Sequence, residues 1–174
     1  WNPAGLAQLS KCEISAMHSE WLVDTKLDFI GFAFPRTTAN QQPTANVLGG
    51  SIIYLSQGEI ESRDENRQRT GTFSASDIAV TLCYSRSLLT NSLTNLLTGI
   101  NLKFIRQQIE SEHATGVALD LGLLTHLLTP HLLAGFSIQN LGPQMKFIQK
   151  PYNLPLTIAA GLGYTLGGLN FALD

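Results

Sequence analysis

A chain of 174 residues is long enough for one domain, and its net charge of −2 comes without a basic run, which excludes an electrostatic footprint for nucleic acid. Charged residues make up 14% of the chain, against roughly 25% in ordinary soluble domains. No apolar stretch approaches the length of about 18 residues that a membrane-spanning helix needs, and no signal peptide is recognisable. Since the chain begins at Trp1 and not at a methionine, we expect a processed chain or a fragment.

The first segment, WNPAGLA, is apolar, uncharged and turn-forming. Its Asn-Pro step favours an extended or turn conformation, and Pro3 removes a backbone donor. Gly5 then allows the chain to turn. Two interpretations stay open for residues 1–9: an ordinary N-terminal loop, or a plug that rests inside the rest of the domain. In the second, Pro3 holds the segment extended and the Asn2 amide bonds buried backbone groups.

Three strand-like segments follow, at residues 12–20, 24–34 and 46–56, although their two faces are not sharply distinct. Polar loops are predicted at residues 41–45 and 61–70. The second of these contains the only dense charge cluster, ESRDENRQR, which is typical of a solvated loop. Cys12 and Cys83 have no metal-ligand spacing, so we expect two free buried thiols, with a disulfide left open.

Apolar and small or polar residues then alternate with a period of two, which predicts antiparallel β-structure with two unlike faces. The alternating segments are residues 76–85, 98–104, 116–124, 131–139, 156–166 and 169–174. Between the first two of them, residues 87–97 fit either a short helix or a strand-turn-strand corner, and Thr90, Asn91 and Asn95 favour the corner. The sequence therefore predicts an all-β domain of roughly nine strands.

Two architectures compete for these strands. In a soluble antiparallel β-sandwich, the apolar face forms the core and the other face meets water. In a transmembrane β-barrel, the apolar face meets lipid and the second face lines the lumen. The second face is rich in Gly, Ala, Ser and Thr, which favours a crowded barrel interior. We then expect a polar lumen, with Lys103 close to a carboxylate, formed by Asp77, Arg86, Asn101, Lys103 and Asp120.

The number of predicted strands indicates whether this sequence could form a complete barrel. Bacterial single-chain barrels have even strand numbers, and an open sheet with bare edges does not survive in lipid. Because the sequence stops within an alternating segment, we expect residues 1–174 to be the N-terminal part of a single, larger barrel domain.

An ordered series of short motifs resembles the PorV/PorQ family, which belongs with the FadL-type outer-membrane barrels. The motifs are NPAGLA (2–7), HSEWLVD (18–24), YLSQGEI (54–60), GTFSASDIAV (71–80), GINLKFI (99–105), GVALDLGLL (116–124) and IQNLG (138–142). The resemblance implies a bacterial outer-membrane location, surrounding lipid as a partner, and a barrel of about fourteen strands. It also implies that Asn2, Pro3 and Ala4 belong to an N-terminal hatch that closes the lumen.

No catalytic, metal-binding or cofactor motif is recognisable, so we expect a protein that is not an enzyme. Lys103 and Asp120 are interpreted as lumenal charges that neutralise each other, in preference to an acid/base pair. The resemblance leaves two functions open: transport of a hydrophobic or small amphipathic molecule, or a role in type IX secretion with secreted proteins and the secretion machinery as partners. A soluble sandwich that binds a ligand or partner is the alternative.

Overall fold

The protein is built almost entirely from β-strands. The computed structural model describes residues 2–36, 46–91, 94–127, 129, 131–147 and 150–173. Strands make up 78% of the structure, which confirms the predicted all-β class. The described residues also contain a short 3-10 helix, Pro3–Gln8.

Eleven strands are present in the part of the chain that the structure describes. In chain order they are β1 (Glu13–Trp21), β2 (Thr25–Arg36), β3 (Asn46–Arg63), β4 (Arg69–Asn91), β5 (Thr94–Ile109), β6 (Glu112–His126), β7 (Leu132–Leu141), β8 (Met145–Phe147), β9 (Lys150–Tyr152), β10 (Thr157–Leu166) and β11 (Leu169–Leu173).

Nine of these strands form one antiparallel sheet in which nearly every strand pairs with its neighbour in the chain. The order is β1-β2-β3-β4-β5-β6-β7-β10-β11, and β8 and β9 form a separate two-stranded ribbon. The nine strands of the sheet correspond to the roughly nine that the sequence predicts. The sheet is open, with β1 and β11 at its edges, so closure into a barrel is not part of the structure.

Two details differ from the sequence expectations. The charged segment predicted as a loop over residues 61–70 is a turn only at its centre, Asp64–Gln68, because β3 and β4 extend as a long hairpin and take up the residues on either side. Of the two alternatives for residues 87–97, the short helix is wrong, since the segment is strand up to Asn91 and again from Thr94. Thr90, Asn91 and Asn95 lie in these strands, and the centre of the predicted corner lies outside the described residues. The ribbon was not predicted, since three-residue strands are too short to show alternation. The predicted loop at residues 41–45 lies outside the described residues.

The two faces of the sheet are unlike, as predicted. We call the face that carries the 3-10 helix the helix face, and the opposite one the apolar face. The buried side chains of the sheet lie on the helix face and are small or polar in most cases: Ala33, Val47, Cys83, Ser85, Ser87, Leu97, Ala114, Ala118, Asp120 and Ser137. Large apolar side chains stand exposed on the apolar face, among them Ile30, Leu82, Leu102, Leu121, Phe136 and Leu162.

Nothing within the described residues covers the apolar face. A β-sandwich would need a second layer there, whereas the β8–β9 ribbon lies on the helix face, where Met145 is buried against Gly116. Among the same residues, no helix has the length and apolarity needed to cross a membrane. Both cysteines are free as expected, but Cys12 is exposed and only Cys83 is buried.

Candidate functional site

The N-terminal segment folds into a capped 3-10 helix that lies on the sheet. Asn2 is the N-cap: its backbone is extended, and its side-chain Oδ1 accepts a hydrogen bond from the Ala4 amide at 3.0 Å. Pro3 follows in the first turn, where its missing N–H is not needed. The expectation that Pro3 holds this segment extended is therefore wrong, since proline's fixed φ also suits a helix start.

The Asn2 side chain fixes this helix to the sheet. Its amide nitrogen donates to the carbonyl oxygen of Leu123 at 2.9 Å and to that of Phe136 at 3.1 Å, on neighbouring strands β6 and β7. The amide thus bonds backbone groups of the sheet, as expected, although these hydrogen bonds are exposed and not buried as the sequence predicted. With the cap to Ala4, one side chain makes three hydrogen bonds.

Glycines on the helix face provide the space in which the helix sits. A methyl group at Gly122 would meet the Asn2 side chain and the Pro3 ring, and one at Gly99 would meet the backbone of Pro3 and Ala4. The helix backbone therefore approaches the sheet more closely than a side chain would allow. Gly5, predicted to turn the chain against the wall, has open space around it and no positive φ, so its role is not the one expected.

Small apolar contacts and one buried hydrogen bond complete the seat of the helix. Ala4 and Ala7 are buried and cluster with Leu97, with the half-buried Leu124 packed beside them. The buried Ser85 hydroxyl donates to the Pro3 carbonyl oxygen at 2.6 Å. The segment is thus attached mainly through short side chains, which bury little apolar area each.

A charged cluster lies on the same face, farther along the strands. The carboxylate of the fully buried Asp120 accepts a hydrogen bond from Lys103 Nζ at 2.8 Å and one from Asn101 Nδ2 at 2.9 Å. Its other oxygen accepts from the Asn140 backbone amide, also at 2.9 Å. The expected pairing of Lys103 with a carboxylate is confirmed. The Lys103 ammonium group neutralises the buried Asp120 carboxylate, and three hydrogen-bond donors replace the water that it loses, so the desolvation penalty of its burial is offset.

Asn140 reaches this cluster through an irregularity that the sequence did not reveal. The pairing of β6 with β7 shifts between Leu119 and Leu121, as in a β-bulge. Asn140 lies in the bulge with a φ of 62°, a conformation that asparagine tolerates better than most residues. Its side-chain oxygen also accepts a hydrogen bond from Lys103 Nζ at 2.9 Å. The IQNLG motif contains this residue, but alternation alone gave no indication of the bulge.

The β8–β9 ribbon covers the far end of the helix face. Tyr152 donates its hydroxyl to Gln107 Oε1 at 2.5 Å and lies near the sulfur of Met145. Burial, followed by the negative charge of Asp77, raises the pKa of Tyr152, so its hydroxyl remains a donor at neutral pH. The helix and the ribbon therefore leave the Lys103–Asp120 cluster between them.

Arg86 is the one predicted lumenal residue that the structure separates from the others. β4 alternates without interruption here, so the buried Ser85 and Ser87 lie on the helix face and the exposed Arg86 lies on the apolar face with Tyr84. The expectation that Arg86 shares a face with Asp77 is therefore wrong. Arg86 has the same parity along β4 as the apolar residues, so the alternation in the sequence already assigns it to the apolar face.

Two clefts open on the helix face. One, of about 420 Å³, lies beneath the ribbon and includes Asp77 in its wall. The other, of about 540 Å³, begins beside Asn2 and follows β7 and β10. Its wall on the helix face is mostly small or apolar and consists of Leu124, Leu133, Gly135, Ala159, Gly161, Gly163 and Ala172, together with the polar Ser137 and Gln139. Within the described ranges, no three metal-ligating side chains come together.

No protein-family model matches this chain, and no curated protein is detectably similar to it. The resemblance to the PorV/PorQ family therefore rests on the sequence motifs, and the function has to be argued from the geometry.

Proposed function

We propose that this chain forms part of an outer-membrane β-barrel of the PorV/PorQ, FadL-like type, which transports a hydrophobic or small amphipathic molecule past its N-terminal helix. The observation that supports this most is an exposed apolar face of nine strands, beside a helix face that holds most of the small side chains and the Lys103–Asp120 pair. Such a division is typical of strands that separate lipid from a polar lumen.

The height of the apolar surface supports a membrane setting. Hydrogen-bonded rows of polar residues border it on the central strands. One border consists of Lys26, Ser56, Ser76, Gln108 and His113, and the other of Arg36, Asn46, Arg86 and Thr98. Along β4 the borders at Ser76 and Arg86 are ten residues apart, or about 33 Å of strand at roughly 3.3 Å per residue. On β2 and β5 the band is two residues shorter, because Asp28 and Arg106 lie one row inside the first border. The height is therefore taken from β4. At a tilt of about 40° this length of β4 becomes about 25 Å, the height of the apolar band of an outer-membrane barrel.

The direction of the second border supports strand tilt. The row that is polar at Arg86 and Thr98 continues to Leu123 on β6 and Phe136 on β7, which are both apolar and exposed. The apolar band therefore climbs relative to the hydrogen-bonded rows between β5 and β7. In a barrel the strands tilt relative to the axis, so their hydrogen-bonded rows tilt relative to the membrane plane. An apolar band that runs parallel to the membrane must therefore shift along these rows from strand to strand.

The N-terminal helix and the cleft beside it support transport. The helix is uncharged, so its placement on the helix face carries no ionic desolvation penalty. It is seated on glycines by short side chains, and the 540 Å³ cleft beside Asn2 is mostly apolar. A small plug beside an apolar cleft suits a route for an apolar molecule that opens when the plug moves.

Deleting residues 1–8 from the full-length protein tests this function. In reconstituted vesicles, we expect the deletion to increase the passive flux of small solutes, because the helix no longer fills its part of the lumen. Asn2→Ala, which removes three hydrogen bonds and keeps the helix, should give an intermediate flux. Unchanged flux from a folded deletion variant would contradict a gating role for this segment.

The long β3–β4 hairpin favours the second candidate, a role in protein secretion. β3 and β4 extend beyond the last pairing of β4 with β5 at Ala75, and there they pair only with each other. The tip carries Glu61, Arg63 and Arg69, with Arg63 and Glu61 joined at 2.6 Å. A charged arm that projects from the sheet suits contact with a secreted protein or with secretion machinery.

A further inference from the structure

The cleft beneath the β8–β9 ribbon combines features that the transport proposal does not use. Two hydrogen-bonded rows of the sheet form its floor: Leu55, Asp77 and Gln107 face one another across β3, β4 and β5, and Gln57, Ala75 and Ile109 do so in the next row. Phe147 and Tyr152 of the ribbon close it from the other side. At about 420 Å³, its volume falls within the range of small-molecule sites.

The carboxylate of Asp77 gives this cleft its charge. Its one side-chain hydrogen bond among the described residues is a long one, from Gln107 Nε2 at 3.4 Å. The same part of the chain brings no cationic side chain within 4 Å of it. Lys103 is engaged by Asp120, and Arg106 lies on the apolar face. Lys146 and Lys150 of the ribbon are exposed and do not line the cleft.

We propose that this cleft binds a small organic ammonium ion with an apolar body. The ammonium group would pair with the Asp77 carboxylate and lie near the rings of Phe147 and Tyr152, because aromatic faces and a carboxylate both attract a cation. Leu55, Ala75 and Ile109 would contact the apolar body. The site stands on the cleft alone and does not depend on flux through the N-terminal helix.

Binding of 2-phenylethylammonium to the full-length protein in detergent tests the proposal, with 2-phenylethanol as a neutral probe of similar shape. By titration calorimetry we expect the ammonium ion to bind at least tenfold more tightly than the alcohol. Asp77→Asn keeps the shape of the side chain and should remove this preference. Asp28→Asn, a matched change on the apolar face, should leave it intact.

A second variant separates charge from the aromatic ring. Phe147→Leu keeps the carboxylate and the apolar surface, and should weaken binding of the ammonium ion severalfold through loss of the ring. Equal binding of the two probes to the unaltered protein would overturn the proposal. So would an ammonium preference that survives Asp77→Asn, whichever result the flux experiment gives.

Discussion

Single residues on the helix face decide whether the N-terminal helix can sit there. Gly99 and Gly122 leave space that the backbone of Pro3 and the side chain of Asn2 occupy. Alternation predicted that small residues line this face. It did not predict which glycines contact the helix, because that depends on where the chain returns across the sheet. The three hydrogen bonds of Asn2 also depend on this placement.

Gly122→Ala should displace the helix, since the new methyl group would meet Asn2 and the Pro3 ring. We expect a loss of about 1–3 kcal/mol in the free energy of unfolding, typical of overpacking. Hydrogen exchange of the Ala4 and Leu9 amides, which cap and close the helix, should accelerate. The matched control is Gly163→Ala, where the nearest atoms are 3.9 Å away. Equal exchange in both variants would contradict the close fit at Gly122.

Lys103→Met should leave the buried Asp120 carboxylate without a cation. Breaking a buried pair in this way costs about 3–5 kcal/mol, and we expect the low end because Asn101 and Asn140 still donate. Urea unfolding of the protein in vesicles measures the loss in the free energy of unfolding. Adding Asp120→Asn should restore most of it.

Lys26→Met provides the comparison, since Lys26 pairs with Glu20 at the exposed end of the β1–β2 hairpin. Exposed pairs of this kind contribute about 1 kcal/mol or less. Similar losses in Lys103→Met and Lys26→Met would show that the Asp120 pair behaves as a surface pair.

At the scale of elements, the strands of the sheet could be predicted from the sequence, but the 3-10 helix and the β8–β9 ribbon that cover its helix face could not. Six segments were found by alternation, because each has one apolar and one small or polar face, and three more were recognised as strand-like; together they became the nine strands of the sheet. The 3-10 helix and the ribbon are too short for a periodic pattern, and Pro151 argues against a strand at β9. Residues 61–70 were predicted as a loop because they are highly charged, but the exposed end of a β-hairpin can be equally polar.

Shortening the β3–β4 hairpin should separate its role from that of the sheet. Replacing residues 60–73 with a two-residue Asn-Gly turn removes the part of the hairpin that pairs only with itself. We expect the midpoint of urea unfolding to stay nearly unchanged, because the remaining strands keep their neighbours. A large loss of stability would mean that the arm supports the sheet. Under the secretion hypothesis, the shortened protein should fold and lose secretion in cells.

At the scale of the whole molecule, the main feature is the apolar face, which nothing within the described residues covers. An Arg near the centre of the face distinguishes lipid from water. In vesicles, Leu82→Arg should cost about 2–4 kcal/mol, whereas Ser76→Arg, at the polar border, should cost at most about 1 kcal/mol. Urea titration of the full-length protein provides both values. If Leu82→Arg is no more destabilising than Ser76→Arg, the apolar face does not meet lipid.

The hydrogen bonds of Asn2 also fix an order of assembly. They join it to Leu123 and Phe136, which lie 121 and 134 positions later in the chain. Contacts of such long range form only after the intervening chain is arranged, because loop closure opposes them until other contacts compensate. β6 and β7 must therefore pair before the N-terminal helix has a complete seat. The first residues of the chain are thus among the last to reach their final position, and the sheet is uncovered there while it forms.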